Sequence, residues 1–194
     1  MAKRKQGFWS RIKQNLKNLT NIVGGDKSKQ QAMLPAPSDQ KYELTNETFE
    51  IQTGTRPITL HRIRALQSFR WTHPYEKNVV INKGDLGGFI EKRENLSEEL
   101  TAWVAENAMV YGDAMVKDNA LVRGQASVSG YSSIGGNALV RDLVVIKDFA
   151  KVTGSAVVSE AVTVEDQTII RNDVYVSGNE KVRINKDSRY TVIE

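Results

Sequence analysis

Two histidines, His61 and His73, are the only side chains in this 194-residue chain whose ordinary pKa suits proton transfer near neutral pH, and none follows residue 73. A general base must lie within hydrogen-bond reach of the proton it takes. Catalysis by His73 would therefore need it to reach a substrate, or a neighbouring subunit, from within "FRWTHPYE", where Trp71 and Tyr75 flank it and favour packing. With no cysteine there is no thiolate nucleophile, disulfide framework or Cys-based zinc site, and a zinc site would need histidine supplemented by carboxylates. The stretch "GDLGGF" has the spacing of neither a P-loop nor a dinucleotide fingerprint, and reads as a tight turn at Gly84, Gly87 and Gly88. No cofactor, metal site or catalytic residue is expected.

Positioning is the clearer message. Val or Ile recurs every sixth residue from Val104 to Val182, fourteen times without an insertion. Two residues before each stands a small side chain in most cases, Ala102, Ala108, Ala114, Ala120 and Ala126 among them. Two residues after usually comes Gly, Asp or Asn, which tolerate positive φ. A helix repeats near 3.6 and a lone strand near 2, so a period of six fits a short strand plus a turn, wound into a coil with the aliphatic side chain inside.

"VAENAM", "VYGDAM" and "IGGNAL", with "VKDNAL" and "VRGQAS" departing only at the second position, resemble the hexapeptide repeat of left-handed β-helix proteins. The resemblance implies an all-β chain with three hexapeptides per 18-residue coil, about 4.7 coils stacked at ~4.8 Å. It also implies three chains packed about a threefold axis. Residues 40–100 lack the register, and "KYELTNETFEI" and "RPITLHRIRAL" read as strands of an N-terminal β cap. Cap plus hexapeptides is similar to a group of phage and bacterial repeat proteins labelled acyltransferases, which implies a phage or prophage origin. Acyltransferases of the hexapeptide family use a histidine base and a long inserted loop, and these repeats have neither.

Residues one before each register position point outward and fall into three columns at a spacing of 18. One reads Trp103, Leu121, Leu139, Val157, Tyr175; the others read Met109, Ser127, Val145, Thr163, Lys181 and Met115, Ser133, Lys151, Ile169. The first is much the most apolar and is the expected oligomer interface, the alternative being that the cap or C-terminal tail folds over it. Beside it stand Arg123 and Arg141, one coil apart. Like charges at that spacing are solvated, paired with an acid, or arranged to hold an anionic small molecule.

Net charge is +4, but residues 1–30 hold eight bases against Asp26, leaving 19 bases and 22 acids elsewhere. The basic character belongs to a leader, so no specific nucleic-acid surface is expected on the body. Phe8, Trp9, Ile12, Leu16 and Leu19 recur at spacings of three and four, predicting a basic amphipathic helix over 1–25 that binds a protein groove or an anionic membrane surface. A flexible linker (26–39), the β cap (40–100), the β-helix (101–184) and a C-terminal tail (185–194) follow. No apolar run reaches the ~20 residues of a membrane span, and a cytoplasmic location in the host cell, virion-associated or peripheral at a membrane, is expected. The functional expectation is a non-catalytic trimeric scaffold that tethers the leader helix to a partner. Sequestration of a phosphorylated small molecule between subunits, or acyl transfer, are the alternatives.

Overall fold

Every sixth residue from Glu106 to Gly178 has positive φ. Six of these thirteen are glycine, which adopts that backbone freely; five are Asp or Asn, whose short polar side chains bear it best among L-residues, and two are Glu. Each such residue turns the chain through one corner, and the two-residue strands between corners pair in parallel with strands 18 residues away. The computed structural model of the chain describes residues 40–54, 56–179, 181–182 and 192–193. The expected leader helix and linker, and most of the tail, lie outside those residues.

Five cap strands come first: β1 (Tyr42–Thr53), β2 (Arg56–Ala65), β3 (Phe69–Trp71), β4 (Val79–Ile81) and β5 (Leu86–Ile90). Fourteen two-residue strands follow, β6 (Trp103–Val104) through β19 (Lys181–Val182), and Val192–Ile193 adds a last one, β20. They form a parallel β-solenoid of about five turns with three sheet faces. One face continues the antiparallel hairpin β1–β2 through β5 into an eight-stranded sheet and is called the hairpin face. The second carries the Met115, Ser133, Lys151, Ile169 column and is called the open face. The third carries Trp103, Leu121, Leu139, Val157 and Tyr175.

The core is the register column itself. Val104, Val110, Val116, Val122, Val128, Ile134, Val140, Ile146, Val152, Val158, Val164 and Ile170 are fully buried, with the small residues two positions earlier packed beside them. Burying each side chain contributes roughly 1.5–3 kcal/mol of gross stabilisation. Acids at the positive-φ corners take a second part: Glu106, Asp118, Asp142 and Asp148 each accept the backbone N–H of the residue 18 positions later, at 2.8–3.1 Å. They stitch one coil to the next.

Coiling starts before the regular period does. Parallel pairing already joins Ile90 to Val110 and Leu96 to Val116, a spacing of 20, and only at Val104 with Val122 does it settle to 18. The two extra residues hide this first coil from a search for sixes. Gly88 lies within it: a Cβ there would stand 2.5 Å from Ala108 O. So only Gly84 (φ +96°) serves as a turn residue of positive φ, while Gly87 and Gly88 belong to β5, pressed against the first regular coil.

Candidate functional site

The apolar column expected to meet another subunit is covered within its own chain. Trp103, Leu121, Leu139 and Val157 are 0–3% exposed, and only Tyr175, at 57%, reaches solvent. The cover is the cap segment containing β3 and β4, which crosses the coils as a strap. Phe69 meets Trp103 edge to face, ring centroids 5.5 Å apart. The Trp71 indole N–H donates to Asn119 O at 2.5 Å; His73 bonds Ser155 O at 3.1 Å; the Tyr75 hydroxyl donates to Asp173 Oδ2 at 3.0 Å. Asn119, Ser155 and Asp173 stand on one corner, two coils and then one coil apart, so four alternate strap residues, Phe69 to Tyr75, climb the prism from the level of Trp103 to that of Tyr175. The expected interface is thus corrected for its four buried members. Their greasiness answers to the strap, because a sheet column needs one apolar cover and the chain supplies it.

His73 is a structural member of this strap. Its ring stacks on Trp71 at 5.5 Å and 15°, and it is 7% exposed. Its Nδ1 accepts the Tyr75 N–H at 3.2 Å, so the ring proton resides on Nε2 and is donated to the Ser155 carbonyl. Neither nitrogen is left to take a proton from a substrate. Among the described residues no group of three or more His, Asp or Glu is arranged to hold a metal ion.

Arg123 and Arg141 occupy the corner beside the strapped face, and the structure treats them differently. Arg141 donates to the Tyr175 hydroxyl at 3.0 Å and lies 3.7 Å from the strap carboxylate of Glu76 and 3.9 Å from Asp142. Ser159 bonds the same hydroxyl at 3.2 Å. Arg141 is therefore neutralised by the strap, a pairing no local pattern foretells because Glu76 lies 65 residues away. Arg123 is half-buried and has no ion-pair partner among the described residues.

The open face also leaves apolar surface to solvent. Met115 is 41% exposed, Ile169 is half-exposed, and at the adjoining corner the rings of Tyr131 and Phe149, one coil apart, stack at 5.1 Å and 7° while 61% and 54% exposed. Tyr131, Phe149 and Ile169, with Lys151 and Gln167, line a groove of about 460 Å³. A second recess beside Met115 holds Leu96, Leu100, Glu94, Glu98 and Glu99. Lys117 and Lys151 on this side have no ion-pair partner among the described residues, whereas the Tyr131–Phe149 corner carries Asp113, Asp148 and Asp166. The stack has no signature in the strand positions beside the valines, because Tyr131 and Phe149 are turn residues. Their spacing of 18 is the signal that places them in one line.

A third feature is a cavity of about 420 Å³ between the hairpin and the solenoid, lined by Glu47, Phe49, Arg62, Phe89, Met109 and Leu143 with Asn107 and Gln125. The candidate partner-binding residues Phe8, Trp9, Ile12, Leu16 and Leu19 lie outside the described residues. No protein-family model matches the chain, and no curated protein matches it.

Proposed function

We propose that the chain is a non-catalytic scaffold, a left-handed β-helix braced by its own strap. Three copies associate through their open faces and present their basic N-terminal segments together to a protein or anionic membrane partner. The observation that carries the reading is the contrast in cover: one face is sealed by the strap, while the open face leaves Met115, Tyr131, Phe149 and Ile169 to solvent. Tyr131, Phe149 and Ile169 gather round one groove, and such a cluster of exposed apolar side chains fits an interface. A second copy is the favoured occupant because the face carries Lys117 at one corner and Asp148 and Asp166 at the other, with Lys151 between them. A cyclic arrangement sets the bases of one copy against the acids of the next. His73, the residue an acyl-transfer reading would need, is spent on Ser155 and Tyr75.

Sedimentation velocity of the full chain tests this. A trimer that becomes a monomer with unchanged circular dichroism in Met115→Glu/Phe149→Glu supports the reading. A monomeric parent, or a double variant that stays trimeric, overturns it. Presenting three leaders raises avidity by ~10²–10⁴ over one, so deletion of residues 1–30 is expected to leave the assembly intact and abolish binding to anionic vesicles or to a co-purifying protein.

A further inference from the structure

The hairpin cavity holds a charged group that its own neighbours leave incompletely answered. Arg62 projects from β2 with its Cζ 4.9 Å from the Phe89 ring centroid, and its side chain is 18% exposed. Its Nε is buried without a hydrogen-bond partner. The nearby Glu47 carboxylate stands 3.9 Å away, beyond hydrogen-bond length, and is 56% exposed. Buried donors are almost always bonded, and one that is not calls for a specific reason. Around it the walls are apolar and aromatic: the Phe49 and Phe89 rings lie 6.0 Å apart at 51°, with Met109 and Leu143 beside them. The side-chain amides of Asn107 and Gln125, at the rim, make no hydrogen bond among the described residues. At about 420 Å³ the cavity falls within the ~300–1,000 Å³ typical of small-molecule sites, and its few polar groups among apolar walls match their usual make-up.

We propose that this cavity binds a small organic anion with a planar apolar body, its carboxylate or phosphate seated on the Arg62 guanidinium and its ring against Phe49 and Phe89. Charge decides between an anion and a cation. Arg62 is held in place by its stacking on Phe89 and by burial, so its charge is a fixed feature of the cavity. Glu47 is the exposed partner and can swing into water when an anion arrives. Chemistry decides between an anion and a neutral ligand, since a planar guanidinium can present parallel N–H donors to a carboxylate or phosphate once the exposed Glu47 has moved aside. The proposal goes beyond the scaffold reading and stands without it, because every lining residue belongs to one chain and none lies on the open face.

The test is a titration of the full chain, followed by amide NMR, with benzoate and phenyl phosphate as probes and benzylamine and benzyl alcohol as controls. Saturable shifts confined to the hairpin and the adjoining corner are expected for the two anions and not for the controls. Arg62→Met is expected to weaken binding by about tenfold or more, and Glu47→Gln, which removes the competing carboxylate, to tighten it several-fold. Arg62→Lys keeps the charge but lacks the fork, and is expected to bind weakly while melting as the parent does, which separates lost recognition from lost folding. Absence of saturation by either anion would overturn the proposal, as would equal binding of benzylamine, unweakened binding in Arg62→Lys, or shifts centred on Arg123 and Arg141.

Discussion

The strapped face and the open face are built from the same repeat, with the same inward valines and the same corners, yet one is sealed and the other is left to water. Outward residues of the strapped face (Trp103, Leu121, Leu139, Val157) are almost fully buried beneath Phe69, Trp71 and His73, while those of the open face alternate Met115, Ser133, Lys151, Ile169 and keep solvent contact. The difference teaches that an apolar column on a solenoid does not by itself name a partner. What covers it can come from a segment far away in the same sequence. The column most apolar on paper is the one already satisfied, and the weaker, mixed column is the one still available.

The sharpest way to break the comparison is to place the same charge on each face. Leu139→Glu buries an unpaired carboxylate under the strap and is expected to cost on the order of 3–5 kcal/mol. Met115→Glu is expected to change the stability of the single chain by no more than about 0.5 kcal/mol, its effect falling on assembly. Urea midpoints of the two variants check this, and equal losses would mean the faces are not distinct.

Removing the strap's anchor rather than its floor comes next. Trp71→Ala deletes a fully buried ring, its hydrogen bond to Asn119 and its stacking on His73. A loss of ~3–5 kcal/mol is expected, together with new binding of a hydrophobic dye to the bared column. A melting curve like the parent's would show that the strap covers the face without bracing it.

A smaller effect is expected at the corners that both faces share. Asp118 sits at φ 58° and accepts the Gly136 N–H at 2.9 Å. Asp118→Ala loses the acceptor and retains the unfavourable backbone, for about 1–3 kcal/mol; Asp118→Gly relieves the backbone and should cost about 1 kcal/mol less. Thermal melts of the pair would separate stitching from turn conformation, and the reverse order would assign the corner's cost elsewhere.

The smallest and most specific expectation concerns the start of the described chain, beside the open face. Lys41 is buried, with its ammonium on the carbonyls of Ser97 and Glu99. Burial lowers its pKa from 10.5 to about 8, against an opposing pull from Glu98. Between those values the unfolded chain holds a proton that the folded chain has released, so stability rises with pH across about 8 to 10.5. Tyr42 acts in the opposite sense: burial first, then Glu98, pushes its phenol above the ordinary 10.0, so stability falls with pH above that point. Urea midpoints compared just below pH 8 and just below pH 10 should rise in the parent, and rise less in Lys41→Met. An equal rise in both would take Lys41 out of the account.

Which features could be read from the chain alone follows from how local each one is. The six-residue register identified the inward column and the corners, because the period repeats one local decision, strand then left-handed turn, from Val104 to Val182, and each copy reinforces the rest. It also ordered the outward columns correctly, since facing along a two-residue strand is fixed by alternation. Early coiling through Ile90 and Leu96 stayed hidden because its spacing is 20. The strap was equally invisible: Trp71 with Asn119, His73 with Ser155 and Glu76 with Arg141 are single contacts between residues 48 to 82 positions apart, with no period to betray them. The sequence by itself therefore determined the inner column, the turns and the three faces, all set by interactions that recur at fixed spacing. Only the tertiary structure decided which face is closed, which arginine is neutralised and which donor of Arg62 stays unpaired, because each depends on where one unique segment comes to rest against the stack.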